Sequence, residues 1–207
     1  QKAEAQARES QIEAALERVR SRTMGMQRSD ELLEVGGILY QEIIKLGIPN
    51  LTSGFVLVDE AKKMDWHYLS DPVDGTMLKK PAGIPNQETE AMRSIGRSWK
   101  KQEPYLVIQM DEKETIMHQT FIAERSIDFD ITPEQLIAIS PERLALQTFN
   151  FRQGYLLIAG AEPLSEEQLE MMLRFTKVFD MTYRRFLDLK QAEEQAKSSK
   201  KGIWSTT

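Results

Sequence analysis

The chain carries two histidines, His67 in the run Met64-Asp65-Trp66-His67-Tyr68 and His118 in Met117-His118-Gln119. Histidine is the side chain whose ordinary pKa lies closest to neutrality, so these are the first residues to test for proton-transfer or phospho-acceptor chemistry. A kinase-type phospho-acceptor would be followed by an acid and a proline, but His118 is followed by Gln119-Thr120-Phe121. The chain has no G-x-S-x-G nucleophile elbow, no phosphate-cradling G-x-x-x-x-G-K and no G-x-G-x-x-G. It has no cysteine, which removes disulfides, thiol catalysis and zinc-thiolate sites. The pairs Asp59-Glu60, Asp111-Glu112 and Glu166-Glu167 fall at expected turns or helix starts, where acids are favoured by solvent and the helix dipole. Both histidines are therefore expected to be structural. No catalytic residue, cofactor or metal site is expected, and an enzyme is the least supported class.

The aromatic residues are the better candidates for a site. Phe55, Trp66, Tyr68, Tyr105, Phe149, Phe151 and Tyr155 all fall on expected strands. Strand residues two apart share a face, so Trp66 points with Tyr68 and Phe149 with Phe151. Beneath a long covering segment at 71–101, the rings Phe55, Trp66, Tyr68, Tyr105, Phe149 and Phe151 could line a pocket for a small molecule of unknown identity. The same rings could equally fill a core.

The elements that must position them follow from the hydrophobic pattern. Residues 1–28 read as a helix whose Ile12, Leu16, Val19 and Met26 mark one seam. A capped restart at Ser29 leads into a broadly apolar helix over 30–46, stopped by Gly47 and Pro49. A hairpin is expected from 52–59 and 64–70, then a Pro/Gly-rich loop over 71–86 and a helix over 87–101. A strand at 104–110 and a helix at 111–127 follow, the latter with Ile116, Met117, Phe121 and Ile122 on one side. Two strands at 143–151 and 154–159 precede a long helix opened by a capping box, Ser165 with Gln168. Neighbouring strands with helices gathered at the chain ends predict an α+β domain, an antiparallel sheet with helices on one face.

Composition sets the class. A chain of 207 residues with 41% hydrophobic and 29% charged residues has enough apolar content for a packed domain and excludes a disordered one. No apolar run reaches the ~20 residues that span a bilayer, so no membrane partner is expected. A net charge of -5 argues against nucleic acid. The lack of cysteine fits a reducing compartment. The chain opens on Gln and is expected to be a piece of a longer protein. Its first residues, Lys2-Ala3-Glu4-Ala5-Gln6-Ala7-Arg8, return near its end as Gln191-Ala192-Glu193-Glu194-Gln195-Ala196-Lys197. Helix propensity alone enriches such phrases; a tandem array sharing a helical linker also produces them.

The runs IEAALERVRSRTMGMQRSDELLEV (12–35), GYLLI (154–158) and FTKVFDMTYRRFLDLKQAEEQAK (175–197) resemble GAF-like sensor units of bacterial, especially Bacteroidetes-type, sensor histidine kinases and related signalling proteins. The resemblance extends to about residue 197. It implies a GAF/PAS-like antiparallel sheet of five or six strands flanked by helices, in cytoplasmic two-component proteins that dimerise. It also implies adjacent GAF-like units and a kinase or other output domain in the parent chain. The parts would be a linker helix at 1–28, a sensory domain at 29–180, a second linker helix at 181–197 and a tail at 198–207. Bilin-binding relatives attach their chromophore through Cys, which is absent here, as are the cysteines of GAF-fold methionine sulfoxide reductases. Phe55-x-x-x-Asp59-Glu60 matches part of the cyclic-nucleotide pattern but lacks the preceding Asn-Lys pair, and is read as coincidental. The expected role is a non-catalytic relay of ligand or conformational state, with a ligand-free spacer as the alternative. An exposed homodimer seam is expected from Ile12, Leu16 and Val19 on the first helix and Met172, Phe175, Phe179 and Phe186 on the last.

Overall fold

Period-two apolar runs in the middle of the chain become strands, and longer amphipathic runs around them become helices. The computed structural model describes residues 2–72 and 75–204, with side chains as far as residue 199. In chain order the elements are α1 (Lys2–Met24), a 3-10 turn (Ser29–Glu31), α2 (Leu32–Lys45), β1 (Thr52–Asp59), β2 (Met64–Leu69) and β3 (Ala82–Pro85). Then come α3 (Glu90–Lys100), β4 (Tyr105–Met110), α4 (Glu112–Arg125), α5 (Pro133–Ile139), β5 (Leu144–Phe151), β6 (Gly154–Gly160) and α6 (Glu166–Trp204). The strands form one six-stranded sheet in the order β3-β2-β1-β6-β5-β4, antiparallel throughout. The fold class is α+β, as the pattern predicts. No described helix is long and apolar enough to cross a membrane. Of the expected tail at 198–207, α6 takes in the backbone to Trp204, and 205–207 lie outside the described residues.

Three elements differ from the sequence expectation. The loop at 71–86 contains β3, a four-residue edge strand. Pro81 precedes it and Pro85 is its last residue, and prolines are tolerated at sheet edges where no ladder donor is needed. The unassigned stretch after α4 holds α5, a seven-residue helix. Thr132 and Gln135 make a reciprocal capping box there, with Pro133 in the first turn. Finally, α4 is turned relative to its apolar residues. Ile116 and Met117 are exposed, while Thr115, His118 and Gln119 are buried. The polar groups win because they have partners: Thr115 Oγ1 accepts from the Leu144 amide at 3.0 Å, and Gln119 Nε2 donates to Ser140 Oγ at 2.6 Å.

Helices cover both faces of the sheet rather than one. On the first face α2 lies over β1 and α6 over β5, and α1 packs against α2 and α6. α1 is antiparallel to α2: Arg8 Nη2 donates to the Leu46 carbonyl, Arg18 to Glu42 and Arg22 to Glu34, each at 2.6–2.7 Å. It is parallel to α6, since its contacts climb both helices together. Arg8 pairs with Glu167 at 3.2 Å, the buried hydroxyls of Thr23 and Thr182 meet at 2.6 Å, and Ser29 reaches Glu193 at 2.8 Å.

The expected exposed seam is therefore corrected. Ile12, Leu16, Val19, Met172, Phe175 and Phe179 are all buried in this chain's own core, and Phe186 packs partly buried against it. Two adjacent helices lying on a sheet leave a groove, and α1 fills it with its apolar stripe. Each such side chain stabilises the fold by about 1.5–3 kcal/mol, which is why the stripe is satisfied within one chain. On the opposite face, α3 and α4 cover the sheet and α5 packs on α4.

Candidate functional site

Alternation along β2 decides which side chains face which layer. Trp66 and Tyr68 point to the face covered by α2 and α6, whereas Asp65, His67 and Leu69 point to the α3/α4 face. The antiparallel register places Phe55 opposite Tyr68 and Phe149 opposite Tyr105, so these rings share the first face. There they close-pack. Phe55 stacks on Tyr68 with centroids 4.6 Å apart and lies 4.7 Å from Phe179. Phe151 meets Phe179 at 5.3 Å and Tyr183 at 6.1 Å. Tyr105 stands exposed at the rim, 6.3 Å from Phe149, and Trp66 lies half-buried beneath the Lys62 ammonium at 5.9 Å.

The six aromatics expected beneath the 71–101 segment thus face the opposite layer, and that segment covers the other side of the sheet. The reason is volume. Aromatic rings carry a large apolar volume, and here they fill the layer between the sheet and α2 and α6.

The second face holds a partly open cavity of about 90 Å³ between the sheet, α3, α4 and α5, bordered also by Pro72, Leu78 and Phe129. Its floor includes His67 of β2, Leu146 of β5 and Tyr155, Leu157 and Ala159 of β6. Met92 and Ile95 of α3, His118, Gln119 and Ile122 of α4 and Leu136 of α5 form the cover. Among the described lining residues there is no Asp, Glu, Lys or Arg.

Both histidines stand at this cavity, which their sequence context does not mark. His67 is 4% exposed, and neither ring nitrogen has a hydrogen-bond partner. Burial, with a smaller contribution from His118, pushes its pKa down to about 3. Burial likewise holds His118 at about 4. Both imidazoles are neutral at physiological pH, so the cavity presents neutral donors and acceptors in an apolar wall.

Beside His67, Tyr155 is fully buried and meets its ring edge-on at 6.5 Å. The Tyr155 hydroxyl donates to Asp65 Oδ2 at 2.7 Å, and Asn86 Nδ2 donates to Asp65 Oδ1 at 2.9 Å. Burial raises the Asp65 pKa, and these two hydrogen bonds oppose the shift. Burial and the Asp65 carboxylate raise that of Tyr155 well above its ordinary value. Both Asp65 carboxylate oxygens are thus partnered, and the trio fixes the β2–β6 side of the cavity.

The signal that could have located the site is the parity of β2. Once Trp66 and Tyr68 are assigned to the helix layer, His67 must face the cover. No group of three or more His, Cys, Asp or Glu residues suited to a metal occurs among the described residues. Comparison of the chain with family models, with curated proteins and with solved structures finds no match.

Proposed function

We propose that this chain is a non-catalytic sensory and signal-relay domain of a larger cytoplasmic signalling protein of the sensor histidine kinase type. The observation that carries the reading is the polarity of the outer helices. Because α1 and α6 run parallel, α1 begins at one end of the helix layer and α6 leaves at the other. A change entering at one end has a continuous helical path to the far end.

The repeated terminal phrase fits that geometry. Arg8 contacts Glu167, whereas its counterpart in the repeat is Lys197, about 30 residues further along α6. At a rise of 1.5 Å per residue that is about 45 Å. A following copy whose first helix continued α6 would run in the same direction along that helix axis. Homodimerisation belongs to the same reading. It must use surfaces other than Ile12, Leu16, Val19, Met172, Phe175 and Phe179, since these are buried within the chain.

The cavity supplies a place for an input, and the sheet links it to the helices. β1 carries Val56 on the cavity side and Phe55 on the helix side, where Phe55 meets Phe179 of α6. A coupling of about 1–3 kcal/mol across the sheet would be ordinary for a relay. A ligand-free spacer and dimerisation module is the second reading, favoured by the close packing of the aromatic core on the helix face.

Filling the cavity tests the two against each other. Ala159→Leu places a larger side chain in the void. The relay reading expects amide exchange across residues 183–197 of α6 to change at least severalfold in that variant. Unchanged exchange in α6, with the variant folded and its cavity filled, would leave the spacer reading.

A further inference from the structure

Resting on the sensory reading above, we propose that the cavity takes a small neutral alcohol or phenol, an apolar body carrying one hydroxyl group. Three observations select this class. The first is charge. No Asp, Glu, Lys or Arg lines the void among the described residues and both histidines are neutral, so an anion there would lose its hydration without gaining a counter-charge. Nucleotides, phosphates and carboxylates therefore find no cationic partner among these residues.

The second is size. A cavity of about 90 Å³ is smaller than the ~150 Å³ apolar cavity that admits benzene. One small ring is therefore the upper limit, and it requires the flexible Met92 chain at the wall to adapt.

The third is the polar handle. His67 is buried with both ring nitrogens unpartnered, whereas the carboxylate of Asp65, two residues before it on the same face of β2, is partnered by Tyr155 and Asn86. A buried polar group of this kind is either costly or awaits a partner. A neutral imidazole has one N–H donor and one bare acceptor nitrogen. A hydroxyl group both donates and accepts, so it can meet whichever nitrogen faces the void. A hydrocarbon of the same shape cannot.

The experiment is a titration of the intact 207-residue chain, followed by amide NMR, with phenol and cyclopentanol against benzene, cyclopentane and adenosine monophosphate. The expected result is saturable shifts at Leu146, Leu157 and Ile122, with each hydroxylated probe binding at least tenfold tighter than its hydrocarbon partner. The nucleotide should produce no shifts at these positions. His67→Leu should bring the ratio close to one, and His67→Gln, which retains a donor and an acceptor, should preserve part of it. Ala159→Leu should abolish binding of every probe.

Equal affinities for hydroxylated and hydrocarbon probes would overturn the proposed ligand class while leaving a ligand cavity in place. No shifts with any probe up to its solubility limit, or binding of the nucleotide at these residues, would also overturn it. Failure of the relay reading is separate and appears as α6 exchange that ignores a demonstrably occupied cavity.

Discussion

At the scale of single residues, the histidines carry the most testable consequence. Each has a folded-state pKa below its unfolded value of about 6.5, at about 3 for His67 and about 4 for His118. The folded state favours the neutral ring, so the unfolded chain binds more protons at mildly acid pH. Stability is fully present above pH 6.5 and falls as pH drops toward those values, by up to about 1.4 kcal/mol per pH unit for each histidine. Urea midpoints at pH 7 and pH 5 should show His67→Leu losing about 1–2 kcal/mol less than the parent chain over that interval. Equal losses would mean that His67 is solvated in the folded state. Neither histidine could be placed from its neighbours. Facing in a strand depends on register, and a shift of one residue exchanges the faces. The large rings of Trp66 and Tyr68 suggested a ligand wall, and His67 between them was the residue turned toward the cavity.

At the scale of elements, apolar periodicity located β1, β2, β4, β5, β6 and the long helices, because each buries a continuous stripe. The exceptions were short or stabilised by polar contacts: β3 following Pro81 and ending on Pro85, α5 held by its capping box, and α4 with Thr115 and Gln119 inward. The α1 stripe was legible, but its partner was not, since the same spacing serves a dimer seam or a groove in one's own fold. The structure selects the groove. Leu16→Ala should cost about 2–5 kcal/mol, and the resulting loss in melting temperature should be the same at 5 µM as at about 100 µM protein, since a cis contact is unaffected by mass action. A loss that depends on concentration would return this residue to a seam between chains. Close strand approach imposes a further constraint that only the structure reveals. A Cβ at Gly54 would collide with the Tyr68 carbonyl oxygen, and one at Gly154 with that of Val56, so both central strands need glycine at these positions.

At the scale of the whole molecule, the sheet is a partition with two different sides. One holds an aromatic core under α1, α2 and α6; the other holds a partly open apolar void under α3, α4 and α5. The α+β class and the antiparallel sheet were legible from the order of strands and helices. The second helical layer was not, because α3 and α4 lie between strands in sequence and their side of the sheet is set by connections that no local pattern records. The account's central claim is that the two sides are energetically coupled through β1. A double-mutant cycle measures this most directly, combining Ala159→Leu in the cavity with Phe179→Leu on α6, which meets Phe55 from the other face. Independent sites on opposite faces would add within about 0.5 kcal/mol. The account predicts a coupling of about 1 kcal/mol or more in unfolding free energy, and additivity within about 0.5 kcal/mol would contradict it.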